Sequence, residues 1–335
     1  MEKEIKVSVL IPVYGVEKYI EKCTRSLFEQ TMQDGIEFIF TDDCTPDRSI
    51  DIVKELLNEY PDRKSQVRFI RHKENMGLAE ARVTGLNAAR GEYVIHCDSD
   101  DWVDSTMYEK LYNEAKRSDV DIVGCDSIHV FPEKEVIRKE NFNLPKIELV
   151  TELILDRKVG AYLWNKLIRR SFYLNGQFRA KKGTTLLEDM AVTVPMHAST
   201  DKVAYLPLPL YFYRRTDINS MSAGLSDRNV DSAVNVLLYF LNSPLHESWV
   251  KAVNIRLRSF LFSRILSLRG RNVNGWRKIE YTFLKSNKIE LTPSQRIAEW
   301  LAKNSFDKSL FAFMLANKFL NPYIWKKRLQ KKLKK

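Results

Sequence analysis

The sequence predicts an α/β protein built on an open, doubly wound, mostly parallel sheet and followed by a helical C-terminal module. Three observations carry this. Through the first 125 residues, short runs rich in Val, Ile and Phe alternate with segments of helical period, the pattern of successive strand–helix–strand units. Crossovers between parallel strands are nearly always right-handed, which places helices on both faces of such a sheet. Beyond about residue 226 glycine is rare and only the helical period remains.

The elements follow in order. Strands are expected at 6–13, 36–41, 67–71, 92–97 and 120–125, each short and β-branched. Val16, Ile20, Cys23 and Leu27 give the first helical face, and Ile50, Val53 and Leu57 the second. From 126 to 225 the pattern is less regular: a charged stretch at 133–140, a Trp-containing helical segment at 164–172 and an apolar run at 203–213, which complete the same domain. Val230, Val234, Leu237, Leu238 and Leu241, then Ile255, Phe260, Leu261 and Ile265, are the apolar positions of the C-terminal helices. The resulting division is 1–225 and 226–335, with no internal repeat.

Composition narrows the function. No apolar run approaches the roughly 18 residues a membrane-crossing helix needs, and acidic residues ahead of the first apolar stretch argue against a secretory signal. The four cysteines (Cys23, Cys44, Cys97, Cys125) form no CxxC pair, which suits a reducing cytoplasm better than a disulfide framework. The net charge is +11, yet Lys326, Lys327, Arg328, Lys331, Lys332, Lys334 and Lys335 supply seven of those charges; without them +4 remains. The basic character is a property of the tail, and no nucleic-acid partner is expected. Residues 311–335 combine aromatic and apolar side chains with the lysine run, which gives two readings of equal weight: a peripheral contact with an anionic membrane, or a packed helix bundle with a solvated tail. The helices could equally build a homo-oligomer.

In an open α/β sheet, ligands bind beyond the carboxyl ends of the strands. There the sequence is strongly non-random. Residues 94–102, VIHCDSDDW, end an apolar strand in three carboxylates within four positions. Like charges so close call for a cation, and hard oxygen ligands suit Mg²⁺ or Mn²⁺ completed by substrate phosphates; the plain alternative is a solvated loop capping the next helix. An EF-hand is excluded because Trp102 and Val103 stand where a ligand and a glycine are needed. Asp42 and Asp43 end the second strand, where they could accept hydrogen bonds from a nucleoside or simply cap the following helix. Arg82 suits phosphate oxygens. Glu188 and Asp189 lie in an apolar frame that would raise a carboxyl pKa toward that of a general base, or they begin a helix. Neither GxGxxG nor GxxxxGK[ST] follows the first strand, and the five histidines show no zinc spacing.

Together, VSVLIPVYGVEKYIEKCTRSLFEQT, FIFTDDCTPD, NMGLAEARVTGLNAARGEYVIHCDSDDW, LLEDMAV, LPLYFYRR and NSMS resemble the family 2 glycosyltransferases of GT-A fold over residues 5–225. The resemblance implies that 1–125 is the nucleotide-sugar half and 126–225 the acceptor half. It implies Pro12 and Tyr14 at the nucleoside, Asp43, alone or with its neighbour Asp42, on uracil, and Asn75 and Arg82 beside the diphosphate. Asp98 and Ser99 would lie near the ribose and diphosphate, with Asp100 and Asp98 on a divalent Mn²⁺ or Mg²⁺. Asp189 would be the base with Glu188 beside it, and Arg214 and Ser220 would close over the diphosphate. The implied reaction is inverting transfer from a UDP-sugar to a glycan or lipid-linked acceptor in surface polysaccharide synthesis. Two departures stand out: Cys44–Thr45 replaces the usual Gly-Ser after the Asp pair, and Val83 replaces an Asn after Arg82. The rival readings are a nucleotidyltransferase, which lacks its Gly-rich basic loop here, and a non-catalytic module that binds through the basic tail.

Overall fold

A computed structural model describes residues 4–215, 227–244 and 246–267. The chain divides into two compact units, Met1–Val253 and Asn254–Lys335. The expected boundary at 225/226 and the stretch 311–335 lie outside the described residues.

The first half is a run of strand–helix units: β1 (Val7–Val13), α1 (Ile20–Phe28), β2 (Ile36–Asp42), α2 (Ser49–Leu57), a 3-10 turn (Pro61–Gln66), β3 (Val67–Arg71), α3 (Leu78–Ala88) and β4 (Tyr93–His96). Every residue of β1 and β2 is buried, as expected of strands covered on both faces. Val7, Val9, Ile11 and Val13 point to one side, where they meet Cys23 and Leu27 of α1 and Val53 of α2. Leu10 and Ile39 point to the other, against Ala79 and Leu86 of α3. The pairings β1–β2, β2–β3 and β1–β4 are all parallel. Pro12 fits inside this buried strand for a simple reason. Leu10 still accepts a bond from Cys97 N at 3.0 Å, whereas Pro12, facing the same side, lies past the last β4 pair and lacks only a donor the ladder does not use.

The second half is mixed: β5 (Trp102–Val103), α4 (Met107–Ser118), β6 (Ile122–Phe131), β7 (Lys134–Arg138), α5 (Lys146–Leu155), β8 (Lys166–Arg169), α6 (Arg170–Asn175), α7 (Glu188–Ser199) and β9 (Val203–Arg214). All strands join one sheet in the order β3-β2-β1-β4-β8-β6-β9-β5, with β7 paired to β6. The charged stretch at 133–140 thus becomes the outer strand of a hairpin. The helix expected at 164–172 is corrected: Lys166, Leu167 and Ile168 are buried in β8 between β4 and β6, and helix begins only at Arg170. A short apolar run fits either period, and here sheet pairing decides. The helices α8 (Asp227–Leu241) and α9 (Glu247–Ser267) follow; α8 buries Ala233, Val236, Leu237 and Phe240.

Candidate active site

The loops after β1, β2, β3 and β4 open at the same sheet edge, and each is fixed by its own polar contacts. After β2, Asp42 accepts from Thr45 N at 2.8 Å and lies 3.5 Å from Arg71 Nε. The Asp43 carboxylate accepts from His72 Nδ1 at 2.7 Å, Met76 N at 2.8 Å and Gly77 N at 2.8 Å. Asp43 therefore suspends the loop from β3 to α3, where Gly77 takes φ +89, a conformation open to glycine. Three of its roughly four acceptor positions are used. The carboxylate nearest the start of α2 is instead Asp47, just before the N-cap Arg48, and it accepts from Ser49 N at 3.1 Å. Tyr14 and Asn75 are exposed at this edge, whereas Pro12 is inside β1.

The acidic turn after β4 is anchored by β9. Asp101, fully buried, accepts from Tyr211 Oη at 2.9 Å and from Arg214 N at 2.7 Å. Tyr211 Oη in turn accepts from Asp98 N at 3.1 Å, and Arg214 Nε donates to Asp100 O at 2.7 Å. The Arg214 guanidinium lies over the rings of Tyr19 and Trp102, 4.7 and 5.0 Å from their centroids. Burial, then Asp100 and Asp98, pushes the Asp101 carboxyl well above the usual range. Of the three acidic side chains, Asp101 is the internal strut, and Asp98 and Asp100 are the half-buried pair around Ser99. Among the described residues no three Asp, Glu, His or Cys side chains form a closed cage for a metal. The donor set nonetheless fits a hard divalent cation that takes one or two carboxylates and fills its shell with phosphate and water: Asp98 and Asp100 share one turn, and their combined charge already shifts Asp101.

Arg82, on α3 and 5 % exposed, joins this turn to the start of α7. Its Nη2 donates to Asp98 at 2.9 Å, and its Nη1 donates to Asp189 and, at 3.4 Å, to Glu188. Burial opposes the guanidinium's charge, but Asp189, Asp98 and Glu188 together outweigh it and hold its pKa above the ordinary value. Glu188 and Asp189 open α7 after Leu187, which adopts a left-handed conformation at φ 63. Burial and then Asp189 push Glu188 up to about 7. Asp189 is also raised, chiefly by burial, with Arg82 and the Leu163 amide, 3.3 Å away, pulling the other way. The acidic pair is thus both a helix start and a half-buried pair of carboxyls with raised pKa values.

The structure brings Arg82, Asp98, Glu188 and Asp189 into one cluster, with Asp100 on the adjoining turn and Arg214, at the end of β9, bonded to it. Asp42 and Asp43 stand apart from it, built into the β2 loop. Ser220 lies outside the described residues. Sequence reasoning gave no role to His72, Tyr211 or Lys166: His72 and Tyr211 act through contacts to other elements, although Tyr211 lies within LPLYFYRR, and Lys166 acts through the carbonyls of the segment just before it.

The chain is 35% identical over 218 residues to the uncharacterized glycosyltransferase EpsJ of Bacillus subtilis, which covers 62% of this chain and 60% of the relative. It is 33% identical over 236 residues to the cholesterol galactosyltransferase of Borreliella burgdorferi, covering 66% of this chain and 63% of that protein. The chain thus spans about 60% of the length of such curated relatives. Among solved structures, S. aureus TarS 1-349 in complex with UDP-GlcNAc superposes with a TM-score of 0.63 at 18% identity over 89% of this chain and 79% of that one, a likeness of fold. The profile of glycosyl transferase family 2 matches residues 8–185, more than half of the 335, and the chain belongs to that family.

Proposed function

We propose that this glycosyltransferase is inverting and metal-dependent, and that it moves a sugar from a UDP-linked donor to a hydroxyl of a glycan or lipid-linked acceptor in surface polysaccharide synthesis. One observation carries the reading: Arg82 ties the acidic turn, where a diphosphate would lie, to the half-buried pair Glu188–Asp189, where a hydroxyl would lose its proton. Relatives point the same way. TarS was solved with UDP and with UDP-GlcNAc, a Pyrobaculum calidifontis mannosyltransferase with GDP-Man and Mn²⁺, and a Bacillus spizizenii relative is a poly(ribitol-phosphate) beta-glucosyltransferase.

In this reading the base and sugar of the nucleotide lie along Tyr14, Asn75 and the remaining acceptor position of Asp43. Asp98 and Asp100 would hold the divalent ion, which supplies charge neutralisation for the departing diphosphate. Arg82 exchanges part of its bonding with Asp98 for phosphate oxygens, and Arg214 flanks the same turn. Asp189 takes the acceptor's proton as that oxygen bonds to C1 and the C1–diphosphate bond breaks on the opposite face. No protein nucleophile is needed in a single displacement, so the configuration inverts.

Calorimetric titration with UDP, with and without Mn²⁺ and with GDP and CMP as controls, tests the donor assignment. Binding selective for UDP and strengthened by Mn²⁺ is expected; preference for GDP, or indifference to metal, would overturn the corresponding part of the reading.

A further inference from the structure

Lys166 is fully buried at the start of β8, far from any role in the scheme above. Its Nζ donates to Gly160 O at 2.8 Å, Tyr162 O at 2.6 Å and Asn165 Oδ1 at 2.8 Å, which uses all three ammonium donors. Burying an ammonium is costly, so an apolar side chain would be the cheaper way to fill the space. The neighbouring peptides show what the charge achieves. Gly160 N donates to the buried Glu140 at 2.6 Å, so the peptides on either side of Gly160 are both held. Ala161 O accepts from Thr193 Oγ1 of α7 at 3.0 Å, and the same hydroxyl reaches Asp189 O at 3.0 Å. Next along the chain, Leu163 N meets the Asp189 carboxylate at 3.3 Å. Trp164 stacks on Tyr211 with ring centroids 4.2 Å apart, and Tyr211 holds the acidic turn. One short segment is therefore pinned at successive peptides and touches both halves of the site.

We propose that Lys166 is a positioning residue: its buried ammonium fixes the 160–163 backbone so that the Leu163 amide holds the Asp189 carboxylate in the orientation needed to take the acceptor's proton. This rests on Asp189 being the base. The charged and titratable groups around Lys166 are Glu140 beyond β7, Asp189 and His197 on α7, Cys125 on β6 and Arg138 on β7. Burial lowers Lys166 to about 8, while Glu140 and then Asp189 favour its charge. Both the Leu163 amide and Lys166 favour ionised Asp189, so removing either makes that carboxyl easier to protonate.

The test compares the full chain with Lys166→Met, Thr193→Val and, as reference, Asp189→Asn. Carboxyl titration of the Glu188–Asp189 pair by ¹³C NMR and UDP release from UDP-sugars are read in parallel, with UDP binding as the control for folded protein. Both Lys166→Met and Thr193→Val are expected to move the titration of the pair to higher pH. UDP affinity should hold, and turnover should fall roughly 10- to 100-fold in Lys166→Met. Loss of the lysine's charge alone moves the titration in Lys166→Met but leaves it in place in Thr193→Val, so an unmoved titration in Thr193→Val overturns the proposal. Should Lys166→Met fail to fold, Thr193→Val decides by the same titration. Normal UDP release by Asp189→Asn is a separate failure, of the base assignment.

Discussion

Arg82 faces three half-buried carboxylates, Asp98, Glu188 and Asp189, and such a network is sensitive to losing the cation that joins it. Arg82→Met should lower unfolding stability by about 1–3 kcal/mol, read from denaturant melts, because it leaves those carboxylates without their shared partner. The proposed base is tested by Asp189→Asn, which should cut turnover about 10²- to 10⁴-fold while leaving UDP affinity in Mn²⁺ intact. The neighbouring Glu188 adds a pH signature. Its carboxyl, raised from 4.5 to about 7, binds a proton more readily folded than unfolded. Its contribution to stability is therefore complete below about 4.5 and is lost as pH rises through about 7. Turnover runs the other way, rising as the pair ionises, so urea midpoints and kcat measured in the same buffers should show opposing slopes between those limits. The acidic residues of this site were legible in the sequence because each follows a strand or opens a helix. Their joining by Arg82 was not, since the partners lie 106 and 107 positions away and only the α3 and α7 packing brings them together.

Among the elements, the parallel half was readable because its strands are apolar throughout and its helices periodic; β1, β2 and β3 lie within one residue of where the sequence puts them. β8 was misread because a four-residue buried run carries no period of its own, and Lys166 inside it looked like the polar side of a helix. Two substitutions probe how these elements are joined. A Cβ on Gly91 would stand 2.7 Å from Ser8 N and 2.8 Å from Ser8 Oγ, at the buried start of β1 where Ser8 also donates to Glu37. Gly91→Ala should therefore destabilise by about 1–3 kcal/mol in thermal or denaturant unfolding. Gln177 is exposed and sits just past α6 at φ 50. Replacing it with glycine should stabilise by up to about 1 kcal/mol, since a side chain there pays for a left-handed backbone.

At the scale of the whole molecule, the sheet sets the site by where its order departs from chain order. β4 neighbours β1 and β8, and β9 runs parallel to β6 while pairing antiparallel with β5. Loops from distant stretches are thereby gathered at one edge. A ligand recognised by this edge binds only the folded chain, so UDP with Mn²⁺ at 100 times its dissociation constant should add about 2.7 kcal/mol to stability, and the added increment in melting temperature should vanish with EDTA. The anchoring of the acidic turn by Tyr211 and Arg214 has a further consequence for a chain emerging from the ribosome. The parallel half can pair as soon as residue 96 is free, but the turn at 98–101 stays without Tyr211 and Arg214 until β9 has been made, more than a hundred residues later. Translation at about 5–20 residues per second makes that an interval of several seconds or more. During it the nascent protein has a scaffold whose acidic turn is not yet anchored, and that turn takes its final form only when synthesis has passed Arg214.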